Sequence, residues 1–394
     1  MPGDSIDAIA NTVPFSTITS QYSTQYVSST ILDIDLASII YTSGSTGEPK
    51  GVMLTHRNML AASTSINCYL SHMANDIIIS VLPLSFDYGL YQMIMAFSVG
   101  ATLILEENFI WPAQLLKKIA ANKATVLPVV PSMVGLLLQH NKLFSYDVSS
   151  IRCVTNTGAA LNVKHIDNLK LIFKTANIFS MYGLTECKRC TYLPPDKIDS
   201  KPTSVGIAIP NTELFIVDEQ GNQLGKNQIG QLVIRGSTVM KGYWNKPVET
   251  EKKLKNGLLP GEKVLYTGDY CWLDDDNYLY FHSRMDEVLK CKGMKVSPKE
   301  VEETLMRCSL ISEVAIVGVD DLEYGTAIYA FIVTVGEVEQ NNIKQFYHEN
   351  LSAEKRPKYL EFLSQLPKTQ NGKVNKLELK KIADLKVSTE TILA

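Results

Sequence analysis

Short apolar runs rich in β-forming residues alternate with helical patterns between residues 77 and 180, and this alternation restricts the folds open to the chain. Strands are expected at residues 77–82, 101–105, 125–130, 153–155 and 177–180. Residues 111–122 and 131–140 have the helical period. Strands separated by helices favour a parallel sheet with helices on both faces. The sequence therefore predicts an α/β fold for this part.

The pattern changes twice further along, which predicts three regions: 1–203, 204–285 and 286–394. The second region is expected to be a small β-rich subdomain, because its short strands are separated by turn signals at residues 218–222, 256–257 and 274–277. The third is expected to be a separate α+β domain.

Within the third region, Ser297-Pro298-Lys299-Glu300 is a capping-type helix start. Strands are expected at residues 314–317 and 327–335, and the last dozen residues are expected to form a loose tail. Residues 1–35, which are rich in Ser, Thr and Ile, are expected to be extended or partly disordered.

Composition excludes several classes of protein. The chain has 394 residues, of which 45% are hydrophobic, so it can bury a large core. Its net charge of −3 argues against a nucleic-acid partner. No secretory signal and no apolar run long enough for a membrane span are found, so a cytoplasmic location is expected. Seven cysteines, an odd number, favour a reducing compartment, and the Cys187–Cys190 pair lacks a second pair at zinc-binding spacing.

Residues 41–56 read Tyr-Thr-Ser-Gly-Ser-Thr-Gly-Glu-Pro-Lys-Gly-Val-Met-Leu-Thr-His. Glycines allow a tight turn and a close approach to a ligand, while hydroxyls and a lysine can contact phosphate oxygens. The run follows an apolar stretch and precedes a helix-like stretch that begins near His56, which favours a phosphate-binding loop over a flexible surface loop. It is not a Walker A loop, because no Gly-Lys-Ser/Thr follows. The residues expected to contact phosphate are Thr42, Ser43, Gly44, Ser45, Thr46, Gly47 and Lys50.

This run resembles the signature loop of the adenylate-forming superfamily, which contains acyl-CoA synthetases, adenylation domains of peptide synthetases and luciferases. Later stretches resemble the other motifs of that superfamily in the expected order. They are residues 182–186, 236–244, 266–269, 283–286 with 292–293, and 367–373. The resemblance covers nearly the whole chain. It implies a layered parallel-sheet N-terminal domain, a small β-rich subdomain and a mobile C-terminal α+β domain.

The resemblance implies an AMP-forming ligase that uses ATP and Mg²⁺. A carboxylate attacks the α-phosphate to give an acyl-adenylate, and a thiol of CoA or of a carrier-protein phosphopantetheine then forms the thioester. Glu186 is the implied Mg²⁺ ligand, and Thr185 would contact phosphate. Lys373 would bridge the substrate carboxylate and the α-phosphate in the adenylation step.

The resemblance also implies roles for residues in the nucleotide-binding and hinge motifs. Asp269 would accept the ribose hydroxyls, and Arg284 would lie on the ribose and phosphate side. Asp286 is the implied hinge of the mobile domain, and Gly293 would line the pantetheine channel. The residues expected around the adenine are Gly158, Ala159, Ala160, Tyr182 and Gly183. Ser283 and Gln231 depart from the family pattern, which has Gly and Glu there, and both are expected to be tolerated.

The acid that is activated is open at this point. Residues expected to line the acyl pocket are Phe86, Asp87, Tyr88, Met181 and Arg189. Asp87 would bind a substrate ammonium, as in amino-acid-activating members, or it would form a salt bridge with Arg189 in the pocket of an enzyme for fatty or aromatic acids. A luciferase-like oxygenase and an inactive nucleotide-binding protein are the alternatives in other classes.

Only about 40 residues precede the phosphate loop, whereas family members usually carry a much longer segment there. The chain is therefore a naturally short member, a piece of a longer or split protein, or a trimmed form. An uncovered apolar surface around residues 90–140 is expected, which predicts self-association or a partner chain. An acyl carrier protein is a further expected partner.

Overall fold

The computed structural model describes residues 15–21, 30–43, 48–106, 111–138, 140, 143–158, 161, 163–291, 293–321, 324–369 and 373–393. The helices are α1 Phe15–Gln21, α2 His56–Leu70, α3 Asp87–Val99, α4 Pro112–Asn122, α5 Pro131–Leu138, α6 Val163–Ile172, α7 Pro247–Lys253, α8 Pro298–Leu305, α9 Gln340–Asn350 and α10 Lys376–Leu393. Single 3₁₀ turns lie at Leu143–Ser145, Pro195–Lys197 and Ala353–Lys355.

The strands of the first region are β1 Leu36–Ser43, β2 Pro49–Thr55, β3 Ile77–Ser80, β4 Thr102–Leu105, β5 Val126–Val129, β6 Cys153–Asn156, β7 Asn177–Tyr182 and β8 Thr191–Tyr192. Those that follow are β9 Ile207–Ala208, β10 Thr212–Val217, β11 Gly230–Gly236, β12 Gly242–Tyr243, β13 Leu254–Asn256, β14 Lys263–Leu273 and β15 Leu279–Arg284. The last strands are β16 Leu289–Cys291, β17 Met294–Val296, β18 Ile311–Asp321, β19 Gly325–Thr334 and β20 Tyr359–Phe362.

The predicted parallel sheet is present. Its order is β4-β3-β5-β6-β7-β8-β9, and the first five strands in this order are parallel. Successive residues of each buried strand point to opposite faces, so Ile78 and Ile79 belong to different apolar clusters. Helices α2 and α3 cover one face, while α4, α5 and α6 cover the other. The α/β prediction is confirmed.

The later sheets are antiparallel for the most part. One has the order β10-β11-β14-β13 with β15 paired to β14. Another has the order β17-β16-β19-β18, with β20 added parallel to β19. Ser297 Oγ accepts a hydrogen bond from the backbone N–H of Glu300, which is the predicted helix start. The boundaries at residues 203 and 285 stay a prediction.

The helix expected near His56 is confirmed, because α2 begins at that residue. The run of residues 41–56 also contains β2, which was not predicted and which pairs antiparallel with β1 from Leu36↔Thr55 to Ser43↔Pro49. Residues Val52 and Leu54 bury their side chains completely, which favours a strand before the helix starts at His56.

The last dozen residues also differ from the prediction, because α10 continues to Leu393. Its residues Leu379 and Ala383 pack into the apolar cluster of Val317 and Phe331, and this burial stabilises the helix. In residues 1–35, which were expected to be extended, Phe15–Gln21 is a short helix, and residues 1–14 and 22–29 lie outside the described part.

The buried His72 gives a prediction about stability. Its Nδ1 lies 2.9 Å from Asn67 Oδ1, and its Nε2 has no hydrogen-bond partner among the described residues. Burial lowers the pKa of His72 from 6.5 to about 4, although Asp76 opposes this shift and Arg152 adds to it. The unfolded chain therefore binds the proton more tightly, and stability should fall as the pH drops below the unfolded value.

From pH 8 to pH 5 we expect His72 to cost about 2 kcal/mol of the free energy of unfolding. Urea unfolding at both pH values, compared with the His72→Gln variant, measures this contribution. The variant should lose less stability on acidification than the wild type. Equal losses in the two proteins would contradict the assignment.

Candidate functional site

A cleft lies at the carboxyl ends of β3, β6 and β7, where the ligand sites of parallel α/β sheets are commonly found. It encloses about 480 Å³, which includes its open mouth. The structure brings together here many residues that were predicted from separate motifs, namely Phe86, Asp87, Tyr88, Gly158, Gly183, Thr185, Arg189 and Lys373.

Lys373 reaches this cleft from the C-terminal part of the chain. A side chain at Gly158 would have its Cβ 3.6 Å from Lys373 Cε and 3.7 Å from Phe86 Cζ, so both Lys373 and Phe86 pack against Gly158. Burial of the ammonium group lowers the pKa of Lys373, and the Asp87 carboxylate is the strongest charge that acts in the opposite direction. A lysine 215 positions after Gly158 therefore forms part of the same site.

A chain of polar contacts joins β7 to the β-rich region. The Tyr182 hydroxyl donates to Asp269 Oδ2, and Asp269 Oδ1 lies 3.1 Å from Arg284 Nε. Arg284 also lies 3.4 Å from Asp286 Oδ1. Burial raises the pKa of Asp269, while the Arg284 charge acts to lower it. Asp269 Oδ1 has no hydrogen-bond donor among the described residues, so it is an available buried acceptor.

Glu186 contacts a tyrosine rather than a cation. Tyr243 donates its hydroxyl proton to Glu186 Oε1 at 2.7 Å, and Lys50 Nζ lies 5.7 Å from the centre of the Tyr243 ring. Glu186 and Lys50, which were predicted from different motifs, therefore meet through Tyr243. Burial and the Glu186 charge raise the pKa of Tyr243, so its hydroxyl stays a donor.

Asp87 pairs with a different cation from the one predicted. Lys188 Nζ lies 3.9 Å from Asp87 Oδ2, whereas Arg189 forms no ion pair with Asp87 in the described structure. Burial lowers the pKa of Lys188 to about 8, and the Asp87 carboxylate acts in the opposite direction. The prediction of a salt bridge between Asp87 and Arg189 was therefore wrong, because the cation that pairs with Asp87 is Lys188.

The backbone explains this exchange of partners. The segment after Glu186 folds back tightly, so that a Cβ at Gly183 would lie 2.1 Å from the carbonyl oxygen of Lys188. Lys188 itself has φ +64°, a left-handed conformation that is uncommon for lysine. The turn directs Lys188 toward Asp87, and Arg189 packs instead over the Tyr88 ring at 5.0 Å.

The other predicted residues lie around the cleft or outside the described part. Met181 lies behind Arg189, and its sulfur is 3.7 Å from Arg189 Nη1. Thr42 and Ser43 end β1, while Gly44, Ser45, Thr46 and Gly47 lie outside the described residues. Ala159 and Ala160 also lie outside them. Gly293 has φ +81° in the turn between β16 and β17, away from the cleft residues, and its open surroundings leave space beside it.

Several residues of the site were not predicted from the sequence. Tyr91 and Lys188 line the cleft, and Lys253 donates to the Thr267 carbonyl at 2.6 Å beneath the Asp269 motif. Tyr243 belongs to residues 236–244, which resemble a motif of the superfamily, so this motif could have identified Tyr243 as a site residue. Lys188 lies two residues after Glu186, but its ion pair with Asp87 is visible only in the structure.

The Cys187–Cys190 pair is buried, and its two sulfur atoms lie 3.0 Å apart. Burial raises the pKa of Cys187 well above its usual value, which opposes thiolate chemistry. Within the part of the chain that the structure describes, no group of three or more His, Cys, Asp or Glu side chains is arranged to hold a metal ion. Across that same part, every helix is too short or too polar to cross a membrane.

Mg²⁺ typically uses one or two protein carboxylates and completes its shell with water and substrate phosphates. Glu186 fits this limited requirement, because only one of its oxygens accepts the hydrogen bond of Tyr243. A preformed cluster of protein ligands is not needed for such a site.

Family models match most of the chain. Residues 8–244 match the model of the AMP-binding enzyme, and residues 300–373 match that of the AMP-binding enzyme C-terminal domain. Among sequence relatives, the chain is 31% identical over 381 residues to the long-chain-fatty-acid–CoA ligase of Escherichia coli O157:H7, a match that covers 95% of this chain and 66% of the relative. It is 32% identical over 360 residues to 4-coumarate–CoA ligase 2 of Solanum tuberosum, with 88% and 65% covered.

Solved structures give the same picture. ATP-bound MatB from Rhodopseudomonas palustris is 27% identical with a TM-score of 0.86, and the match covers 93% of this chain and 72% of that one. The o-succinylbenzoate CoA synthetase MenE from Bacillus subtilis, solved with the acyl-adenylate intermediate OSB-AMP, is 26% identical with a TM-score of 0.79. That match covers 89% of this chain and 70% of MenE.

Proposed function

The chain belongs to the family of AMP-binding enzymes, and from this premise we propose that it activates a carboxylic acid with ATP and transfers the acyl group to a thiol. The chain spans about two thirds of the length of the curated relatives that it matches, 66% and 65% for the two described above. The activity is therefore argued from this chain's own residues.

The observation that carries the proposal is the position of Lys373 in the cleft, against Gly158. Two anions, a carboxylate and a triphosphate, must approach each other in the first step. A cation at the point of contact stabilises the charge that develops there. A lysine enclosed by the cleft provides such a charge, because burial strengthens its interaction with bound anions.

The nucleotide would lie beside Asp269, whose buried Oδ1 is available to accept a ribose hydroxyl. Arg284 and Tyr182 hold this carboxylate in place from two sides. Glu186 would hold Mg²⁺, and the bound ion would offset the charge of the triphosphate. Tyr243 orients the Glu186 carboxylate through its hydrogen bond, and Lys50 lies on the other side of that ring.

The second step needs a thiol, and we keep CoA and a carrier-protein phosphopantetheine as the two acceptors. Asp286 as the hinge and Gly293 in the thiol channel stay predictions, as do a carrier-protein partner, self-association and a cytoplasmic location. Exposed apolar side chains near the predicted surface, such as Phe97 and Trp111, are compatible with a covering partner. Lys373 would act in the adenylation step.

The ion pair between Asp87 and Lys188 indicates which type of carboxylic acid the enzyme activates. Its carboxylate already has the Lys188 ammonium 3.9 Å away, so a substrate ammonium would have to compete for it. This supports an acid without an amino group over an amino acid.

ATP–pyrophosphate exchange across fatty, aromatic and amino acids tests the proposal. We expect exchange that depends on at least one carboxylic acid and exceeds the rate without acid by about tenfold or more. If amino acids exceed their des-amino analogues and Asp87→Asn removes that preference, Asp87 reads an ammonium. Nucleotide binding without exchange for any acid would contradict the proposed activity and favour the nucleotide-binding alternative.

A further inference from the structure

The inner wall of the cleft carries three charged side chains that are almost fully enclosed. The side chain of Lys188 is 3% exposed, and that of Asp87 is 16% exposed. Arg189 is 4% exposed as a residue. All three line the same cleft as Lys373 and Gly158. Charged groups are seldom buried in this way without partners, because their transfer from water costs several kcal/mol.

Lys188 is only partly compensated. Its Nζ lies 3.9 Å from Asp87 Oδ2, beyond hydrogen-bond distance, and it has no hydrogen-bond acceptor among the described residues. The ammonium lies 4.6 Å from the centre of the Tyr91 ring, which gives a cation–π contact. Its buried ammonium group therefore lacks a hydrogen-bond acceptor among the described residues.

Arg189 is in a similar situation. Its guanidinium lies over the Tyr88 ring at 5.0 Å, and Nη1 has only the Met181 sulfur, at 3.7 Å. A thioether is a weak acceptor for a guanidinium. Its Nε has no partner within the described structure. Two cations thus face one carboxylate, which leaves a surplus positive charge in the inner wall.

This surplus lies among residues that were expected to line the acyl pocket, because Lys188 and Arg189 pack on Tyr91 and Tyr88 of α3. The cation predicted for phosphate, Lys50, lies instead over the ring of Tyr243, whose hydroxyl contacts Glu186. Lys50 and the Lys188–Arg189 pair are therefore separate groups of cations.

We propose that the acid carries a second anionic group, and that the Lys188 ammonium and the Arg189 guanidinium bind this second carboxylate while Lys373 holds the reacting one. This inference rests on the proposed function and names its substrate class as dicarboxylic acids. The second carboxylate supplies the hydrogen-bond acceptors that Lys188 and Arg189 lack, and its negative charge offsets the surplus positive charge. A monocarboxylic acid of equal length leaves the surplus positive charge without a partner.

Matched acids test the proposal: butanoate against succinate, pentanoate against glutarate, and benzoate against phthalate. In pyrophosphate exchange, we expect kcat/KM for at least one dicarboxylic acid to exceed that of its partner by about tenfold or more. Lys188→Met keeps the length of the side chain but removes its charge. It should erase this preference by raising KM for the dicarboxylic acid, while KM for the monocarboxylic acid and for ATP stays the same.

The matched control is Lys255→Met, because Lys255 is exposed on β13 outside the cleft, and this variant should keep the preference. If Lys188→Met fails to fold, Lys188→Arg retains the charge and should retain the preference. A higher KM for ATP in Lys188→Met would overturn the proposal, because Lys188 would then serve the triphosphate. A preference for monocarboxylic or amino acids in the wild type would overturn it as well.

Calorimetric titration separates this inference from the proposed function. If no acid supports ATP–pyrophosphate exchange, the proposed activity is contradicted, and the second-carboxylate site is tested by binding alone. Succinate, glutarate and phthalate are then titrated into the wild type and into Lys188→Met in the presence of a non-hydrolysable ATP analogue. Binding of one of them that is about tenfold weaker in the variant supports the second-carboxylate site. Equal binding, or no binding to either protein, overturns it.

Discussion

Replacing Lys373 with alanine should abolish acyl-adenylate formation while thioester formation from supplied acyl-adenylate survives. The ammonium is enclosed by the cleft beside Gly158 and Phe86 and acts on charge that develops in the first step only. Loss of such a charge costs about 3 kcal/mol or more, which is a factor of about a hundred or more in rate. The two half-reactions are measured separately, by pyrophosphate exchange and by release of AMP from the acyl-adenylate in the presence of the thiol.

Lys368→Ala is the matched control for this experiment. Lys368 lies five residues earlier and pairs with Glu313 at 3.0 Å outside the cleft, so both half-reactions should be retained. A melting curve checks that Lys373→Ala is folded. Equal loss of both half-reactions in a folded Lys373→Ala variant would show that Lys373 does not act in adenylation alone.

Glu186→Gln should reduce turnover of Mg·ATP by about a hundredfold and shift its Mg²⁺ dependence to higher concentration, with little change in the melting temperature. The glutamine oxygen still accepts the hydrogen bond that Tyr243 donates at 2.7 Å, so the local structure is retained. What is lost is the negative charge that a divalent ion requires. Initial rates over a magnesium titration, together with a melting curve, measure the two effects.

Tyr243→Phe separates the charge of Glu186 from its hydrogen bond. This variant keeps the carboxylate and removes only the donor, so its effect on rate should be much smaller than that of Glu186→Gln. If Glu186→Gln unfolds easily and its residual activity keeps the normal Mg²⁺ dependence, Glu186 has a structural role. Equal defects in the two variants would instead assign the effect to the Tyr243 contact.

The proximity of the residues proposed to bind the nucleotide was largely predictable from the sequence. Asp269 and Arg284 are direct register partners on the paired strands β14 and β15, and Asp286 follows two residues after Arg284. Their proximity follows from strand pairing over a short separation along the chain. Tyr182 and Glu186 likewise belong to one segment that ends β7. Such local geometry is fixed by few residues, so motifs identify it well.

The phosphate loop shows where such reasoning was incomplete. A helix was expected near His56, where α2 begins, but no strand was predicted at residues 49–55. Val52 and Leu54 are buried in β2 there. The pairing of β2 with β12, from a distant part of the chain, also favours this strand. Long-range pairing of this kind is not visible in a local pattern.

The sequence by itself determined the alternation of strands and helices, the order of the motifs and the residue types that can bind a nucleotide. Only the tertiary structure decided that Lys373 enters a cleft whose other lining residues lie at least 184 positions earlier, and that Lys188 rather than Arg189 faces Asp87. Motifs are short and their geometry is set by nearby backbone. The partner of a buried charge depends instead on one left-handed residue and on how distant elements pack, because a change of a few ångströms decides which ion pair forms.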